Sequence, residues 1–306
     1  MELFVQWVVP ALVGVGIGVL SGLLGVGGGT IMVPVFRLVF DMSPIMSTAT
    51  SLFTIVPTSI SGAVSHVRNK TCLPALGVAA GLGGALTSPL GVQLASISPA
   101  WLIMVVAALV IIWSAINILS KAIKAKPVAA SGAAPAQADA VESADANAAT
   151  GVAGAAGAAT GVADAAGAAV AADAAGASTA LSRKQLLLGA CIGLAAGLAS
   201  GYVGVGGGFL MVPLFLSVIG VDMRKASGTS LIAVMILAIP GVIQQAFLGN
   251  INYVAGIAIA LGSIPGALLG AKLITRVPER TLRFIFGGFL LVAAVILVCN
   301  EFGILG

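Results

Sequence analysis

Apolar residues fall along the chain in ten stretches, five on each side of a long polar-sprinkled interval. The first five cover about 5–24, 30–40, 47–66, 74–96 and 100–120. The second five cover about 186–205, 209–220, 227–248, 253–274 and 282–299. A helix needs ~20 residues to cross a hydrocarbon core ~30 Å thick. Eight stretches meet that length or nearly so. The second of each set is too short, and both short stretches begin just after a cluster of glycines. The pattern predicts an all-α integral membrane protein in which each half carries one half-helix or re-entrant element.

The two sets are copies of one unit. The first contains Ser21-Gly-Leu-Leu-Gly-Val-Gly-Gly-Gly-Thr-Ile-Met-Val-Pro34, and the second contains Ser200-Gly-Tyr-Val-Gly-Val-Gly-Gly-Gly-Phe-Leu-Met-Val-Pro213. An offset of 179 residues carries Gly27 onto Gly206, Thr50-Ser51-Leu52 onto Thr229-Ser230-Leu231, Gly83 onto Gly262 and Gly91 onto Gly270. This is a duplication. It divides the chain into a first membrane repeat (1–120), a linker (121–183) and a second membrane repeat (184–306). The linker is rich in Ala and Gly with scattered acids and no apolar periodicity, which predicts a flexible soluble connection.

Composition agrees with the membrane reading. The chain of 306 residues is 59% hydrophobic and 8% charged, far short of the ~25% charge of a soluble surface. Five of its ten acids lie between Asp139 and Asp173, so the membrane portions have basic loops. Positive-inside topology accounts for them, and nucleic-acid binding is not expected. Residues 1–24 have no basic region at their start and lead into the recurring motif, which predicts a retained first helix.

Charge placement also gives orientation. Lys121, Lys124 and Lys126 open the linker and Arg183 and Lys184 close it, which puts it in the cytoplasm of a multi-pass inner (plasma) membrane protein. Counting crossings from there places His66 to Lys70, Arg224-Lys225 and Lys272 to Arg283 inside, and both termini outside. The equivalent loops of the opposite halves, Gln245 to Gly249 and Gln93 to Ala100, are uncharged. Arg37 alone falls on the wrong side. An odd number of crossings per half, and therefore an inverted repeat, predicts this alternation. A fully re-entrant second segment would make the repeat parallel and leave the alternation unexplained.

The glycine clusters are the first candidates for chemistry. Three consecutive glycines, Gly27-Gly28-Gly29 and Gly206-Gly207-Gly208, break a helix and expose backbone N–H groups. The half-helix that follows points its positive end at them, where an anion can dock without a charged side chain. Close helix crossing is the alternative use. No Gly-Lys-Ser/Thr follows, so a nucleotide loop is not expected. A second feature is the hydroxyl stripe Ser47, Ser51, Thr54, Thr58, Ser61 and Ser65 on one face of the third segment. It suits either oxyanion coordination or small-residue helix packing. Thr50-Ser51 and Thr229-Ser230 gain weight from recurring in both halves. Gln244 and Gln245 are polar groups near the end of an apolar stretch. His66, the sole histidine, aligns with Gln245. It is either a proton-coupling group or a loop-end residue that adds to the inside charge.

The doubled Gly-x-Gly-Gly-Gly-x-x-x-Val-Pro motif, each copy followed by Thr-Ser-Leu, resembles the TauE/SafE family of membrane permeases, the sulfite exporter family. The resemblance spans the chain apart from the linker. It implies transport of sulfite, sulfonates or other small organic or sulfur-containing anions. The expected function is alternating-access transport of such an anion. Its shell would come from Gly27, Gly28, Gly29, Thr50, Ser51, Thr54, Gly206, Gly207, Gly208, Thr229, Ser230, Gln244 and Gln245. A passive anion channel and a non-transporting scaffold are the rivals. No catalytic set, metal spacing or cofactor motif is present, so neither enzyme activity nor a cofactor is expected. Cys72, Cys191 and Cys299 read as small hydrophobes.

Overall fold

The computed structural model describes residues 2–124 and 182–301. The linker expectation rests on residues outside this set. Ten helices appear in chain order among the described residues. They are α1 (Glu2–Leu24), α2 (Gly29–Leu38), α3 (Pro44–Arg68), α4 (Pro74–Ile97) and α5 (Ala100–Lys124). The second half gives α6 (Arg183–Val203), α7 (Gly208–Leu214, continued by a π turn over Phe215–Ile219), α8 (Met223–Phe247), α9 (Tyr253–Leu273) and α10 (Glu279–Glu301). Each matches one expected apolar stretch to within a few residues.

Local signals set the boundaries. Ser43 caps α3 by accepting from the Met46 N–H (3.3 Å), with Pro44 as the first helical residue. At its far end Lys70 takes a left-handed φ of 54°, and the Thr71 N–H returns to the His66 carbonyl at 3.0 Å. Helix α8 ends the same way, with Gly249 at φ 69° and Asn250 N–H on the Gln245 carbonyl at 3.2 Å. These are equivalent positions of the two repeats.

Polarity is distributed inside out. Leu86 (75% exposed), Ile97 (80%) and a run of leucines on α4, α5, α6 and α9 face outward, while the Ser and Thr side chains of α3 and α8 are buried, apart from the half-buried Ser61. A soluble protein does not expose such continuous apolar surface. Six helices are long and apolar enough to cross a membrane: α1, α4, α5, α6, α8 and α9. Helix α3 has 25 residues, but its hydroxyls dilute its hydropathy and are hidden from the outer surface. The chain is a helical multi-pass membrane protein.

The two halves are interleaved. Helix α1 lies along α9, with Gly14, Gly18 and Gly22 against the backbones of Ile259, Ser263 and Ala267. Helix α6 lies along α4 in the same manner, with Gly193, Gly197 and Gly201 against Ala80, Gly84 and Ser88. The second set is the first shifted by the repeat offset. In both seams the residue numbers rise together, so the partners run parallel. Helices α3 and α8 cross at the centre in the opposite order. Leu52 meets Gly241, Gly62 meets Leu231 and His66 meets Gly228. Helix α5 packs on α10 at the side.

These seams depend on glycine because the backbones touch, as small residues allow between membrane helices. A Cβ on Gly193 would lie 2.7 Å from the Ala80 carbonyl carbon, whereas a Cβ on Gly16 meets nothing within 4 Å. Gly193→Ala is expected to destabilise the detergent-solubilised protein by about 1–3 kcal/mol, and Gly16→Ala to leave it unchanged or slightly more stable. Equal melting temperatures for the two variants would refute the seam.

Candidate functional site

The two glycine breaks adopt the same backbone, residue for residue. Gly25, Gly27 and Gly28 have φ of 75°, 81° and 84°, and Gly204, Gly206 and Gly207 have 74°, 88° and 64°. Only glycine takes such angles without strain. Gly25 ends α1 with its N–H on the Ser21 carbonyl (2.8 Å), and Gly204 ends α6 on Ser200 (2.7 Å). Both breaks are buried throughout.

The breaks also meet. A Cβ on Gly29 would sit 2.6 Å from the Val205 carbonyl carbon, and one on Gly208 would sit 2.6 Å from the Gly25 oxygen and 2.9 Å from the Val26 Cα. Ile55 of α3 and Val234 of α8, equivalent residues, close in on Gly27 and Gly206 from the helix crossing. The N-termini of α2 and α7 therefore converge at the centre of the bundle. Neither has a side-chain cap. Among the described residues no backbone carbonyl accepts from the N–H groups of Gly27, Gly28, Gly29 or Thr30. A buried helix end without partners is the arrangement that recruits an anion. In the second break the Gly208 N–H turns back onto the Gly206 oxygen at 2.7 Å.

Hydroxyls that the sequence reading did not select surround the first break. Ser21, Thr30 and Ser59 are buried, and their oxygens have no hydrogen-bond partner. The Ser59 Oγ lies 3.3 Å from the Cβ position of Gly27, and the Ser21 Cβ lies 3.5 Å from that of Gly28. Ser200 holds the equivalent place beside Gly207, also unpartnered. Ser21 and Ser200 each open the recurring motif, which was a usable signal. Thr30 and Ser59 have Phe209 and Ala238 as counterparts, so the repeat gave no hint of them.

The Thr-Ser-Leu motifs are tied into the opposite half. Thr50 Oγ1 accepts from the Asn252 N–H at the start of α9 (3.0 Å), and Thr229 Oγ1 accepts from the Leu73 N–H at the start of α4 (2.9 Å). Ser230 Oγ donates to the Gly25 carbonyl at 2.7 Å and so holds the first break. Ser51 is buried without a partner. Thr54 donates to Thr50 O at 2.9 Å and reaches Gly256 O at 3.4 Å. Thr58 meets Ser263 Oγ at 2.5 Å, and Ser61 donates to Ile264 O at 2.7 Å. Most of the stripe thus faces α9.

His66 is wholly buried in the last turn of α3. Its Nε2 lies 2.8 Å from the Gly22 carbonyl, and its Nδ1 lies 2.8 Å from Thr71 Oγ1. A carbonyl can only accept, so Nε2 carries the proton in that bond. Gln245 repeats the arrangement, accepting from Asn250 Nδ2 at 2.8 Å. Gln244 and Gln245 lie about three helical turns from Val234, away from the breaks. Thr71 also lines a cavity of about 430 Å³ with Lys70, Asp222, Arg224, Lys225 and Glu279. A neighbouring cavity of about 670 Å³ is lined by Asn69, Lys272, Thr275 and Arg276 among others. Burial works to raise the Glu279 carboxyl, but the Met223 N–H and the Arg283 and Arg224 guanidiniums outweigh it and hold it below the usual range.

Thr229→Ala strips the acceptor from the α4 terminus and is expected to cost about 0.5–2 kcal/mol in thermal unfolding, with Thr229→Ser close to the parent. A Thr229→Ser variant as unstable as Thr229→Ala would show that the hydroxyl is not the cap.

Comparison with known proteins bears on what these paired breaks serve. The family model described as sulfite exporter TauE/SafE matches residues 10–297, which include both breaks. The probable membrane transporter protein YdhB of Bacillus subtilis is 26% identical over 268 residues, covering 87% of this chain and 90% of that protein. The probable membrane transporter protein YunE of the same organism is 23% identical over 284 residues, covering 90% and 92%. No solved structure matches the chain. With its breaks, its apolar exterior and this match over nearly its whole length, the chain is a membrane transporter of the TauE/SafE sulfite exporter family.

Proposed function

We propose that the chain carries a small anion, a sulfur oxyanion or an organosulfonate, across the inner membrane by alternating access, with its site where the two breaks meet. The observation that carries this reading is the convergence of two buried, uncapped half-helix N-termini on one point. The anion draws on the N–H groups of Gly27–Gly29, Gly206 and Gly207 and on the dipoles of the half-helices that follow. Among the described residues no Asp or Glu is buried that would repel it. The mouth holding Lys70, Arg224, Lys225, Lys272 and Arg276 lies at the cytoplasmic end and draws anions toward the bundle. The Thr71–His66–Gly22 chain of contacts runs from that mouth to the first break, and it is the route by which a proton on His66 would be felt at the site.

The halves are inverted in the bilayer, with the linker in the cytoplasm and both termini outside. The opposite residue order at the α3–α8 crossing and the alternation of basic loops support this. A reporter fused to the C-terminus is expected to read external, and a cytoplasmic reading would sink the inverted arrangement.

Flux into proteoliposomes tests the site. The parent protein is expected to saturate with sulfite or a small sulfonate and to support counterflow, which a channel does not. Gly28→Leu and Gly207→Leu, made in protein that still inserts and stays monodisperse, are expected to reduce flux at least about tenfold. Undiminished flux would remove the glycine breaks as the site, and loss of function on deleting residues 128–180 instead would favour a scaffold.

A further inference from the structure

The two breaks share a backbone but not a set of donors. Around the first, four buried hydroxyls have no partner: Ser21, Thr30 and Ser59 of the first half and Ser227 of the second. Four consecutive N–H groups, from Gly27 to Thr30, have no backbone acceptor among the described residues. Around the second, the counterparts of Thr30 and Ser59 are Phe209 and Ala238, and Phe209 is fully buried. Of the four equivalent N–H groups, those of Gly206, Gly207 and Phe209 likewise have no backbone acceptor among the described residues, and that of Gly208 is engaged by the Gly206 oxygen. Ser200 is the one hydroxyl that the second break retains from this set.

A buried hydroxyl without a partner is costly relative to one that is bonded. Ser59 and Ser21 against Gly27 and Gly28, Thr30 next in the chain, and the free N–H groups of the turn amount to a shell of donors with nothing to donate to. Helix α3 sharpens the point. Its Thr54, Thr58 and Ser61 hydroxyls turn toward α9 and are bonded there, while Ser59 turns toward Gly27 and is not. Of the two unbonded hydroxyls on α3, Ser51 and Ser59, it is Ser59 that lies against Gly27.

Resting on the reading of the breaks as the substrate site, we propose that the site is one-sided. The substrate's oxygens are held at the first break by the Ser21, Thr30 and Ser59 hydroxyls and the Gly27–Thr30 N–H groups, and the second break is the side poorer in hydroxyl donors, against which they pack. The same shell selects charge. It consists of neutral donors and a helix dipole worth about half an elementary charge. No Lys or Arg is buried among the described residues. Such a shell balances a compact monovalent oxyanion, and a second charge in the same place would go uncompensated at high cost. The ligand class is therefore a monoanionic oxyanion such as an alkylsulfonate, in preference to a dianion of similar size.

The test uses the full-length purified protein and two probes, methanesulfonate and sulfate, with affinity read by calorimetry and by thermal shift. Ser59→Ala and Thr30→Val are each expected to weaken methanesulfonate binding about tenfold or more, as loss of a hydrogen bond to a charged ligand does, while Ser200→Ala changes it less than about twofold. Sulfate is expected to bind at least about tenfold more weakly than methanesulfonate. A second readout needs no ligand. Because Ser59 has no partner in the empty protein, Ser59→Ala should melt at the same or a higher temperature than the parent. Melting lower would mark the hydroxyl as structural and overturn its assignment. If Ser200→Ala weakens binding as much as Ser59→Ala, the site is two-sided. If none of the hydroxyl variants changes affinity while Gly28→Leu abolishes it, the one-sided shell is wrong and the glycine breaks remain the site. Binding that survives Gly28→Leu removes the site itself. Equal affinity for sulfate overturns the charge selection.

Discussion

A backbone N–H or C=O inside a bilayer has no water to turn to, and the architecture follows from that constraint. Two breaks of five residues, Gly25–Gly29 and Gly204–Gly208, interrupt the helices in the middle of an apolar protein. Each must be shielded from lipid by something that is not the flanking helix. The structure meets this by setting each break against the other and flanking the pair with the α3–α8 crossing. Neither half can do this alone, because the wall around the first break is Val205, Ser227, Ser230 and Val234 of the second half. The duplication is therefore one shared core and not two domains.

The rest of the packing serves this enclosure. For α1 to deliver its break to the centre it must lie close along α9, and for α6 the same holds along α4. Backbone contact over three successive glycines in each seam provides that closeness, since lipid gives no hydrophobic drive for helices to associate and packing must supply it. The reciprocal bonds Thr50–Asn252 and Thr229–Leu73 lock the register. Each puts a hydroxyl from one half on the first turn of a helix in the other, so these caps are made across the repeat boundary. Ser230 on the Gly25 carbonyl then ties the central crossing to the first break.

Much of this was legible in the sequence because duplication amplifies weak signals. The ten apolar stretches, the short second helix of each half and the positions of the breaks all came through, since glycine, proline and apolar run length report directly on helix continuity in a membrane. The bonds that the threonines shared by both halves make to the opposite half were not legible. Thr50 and Thr229 looked like ligand contacts because they recur, and recurrence reflects a symmetric structural bond as readily as a site. The hydroxyl stripe had the right period for one helix face, but periodicity does not say which neighbour that face meets. Thr30 and Ser59 were missed for the opposite reason. They have no counterpart in the second repeat, so a reading guided by repetition passed over the residues in which the halves differ.

That difference is where function has room to enter. An inverted pair of identical breaks would hold an anion equally from both sides, and a symmetric cradle gives no preference for how the anion is oriented. Filling one side with Phe209 and Ala238 while leaving Thr30 and Ser59 unbonded on the other gives the centre a polar pole and an apolar one, which suits a sulfonate with its charged head and carbon tail. That no Lys or Arg is buried among the described residues belongs to the same argument. A fixed cation in a low-dielectric interior would hold an anion too tightly for turnover, whereas a dipole and neutral donors bind it through many weak bonds that can be exchanged one at a time for water. On the proposed reading, the shell's donors are unsatisfied until the substrate's oxygens fill it.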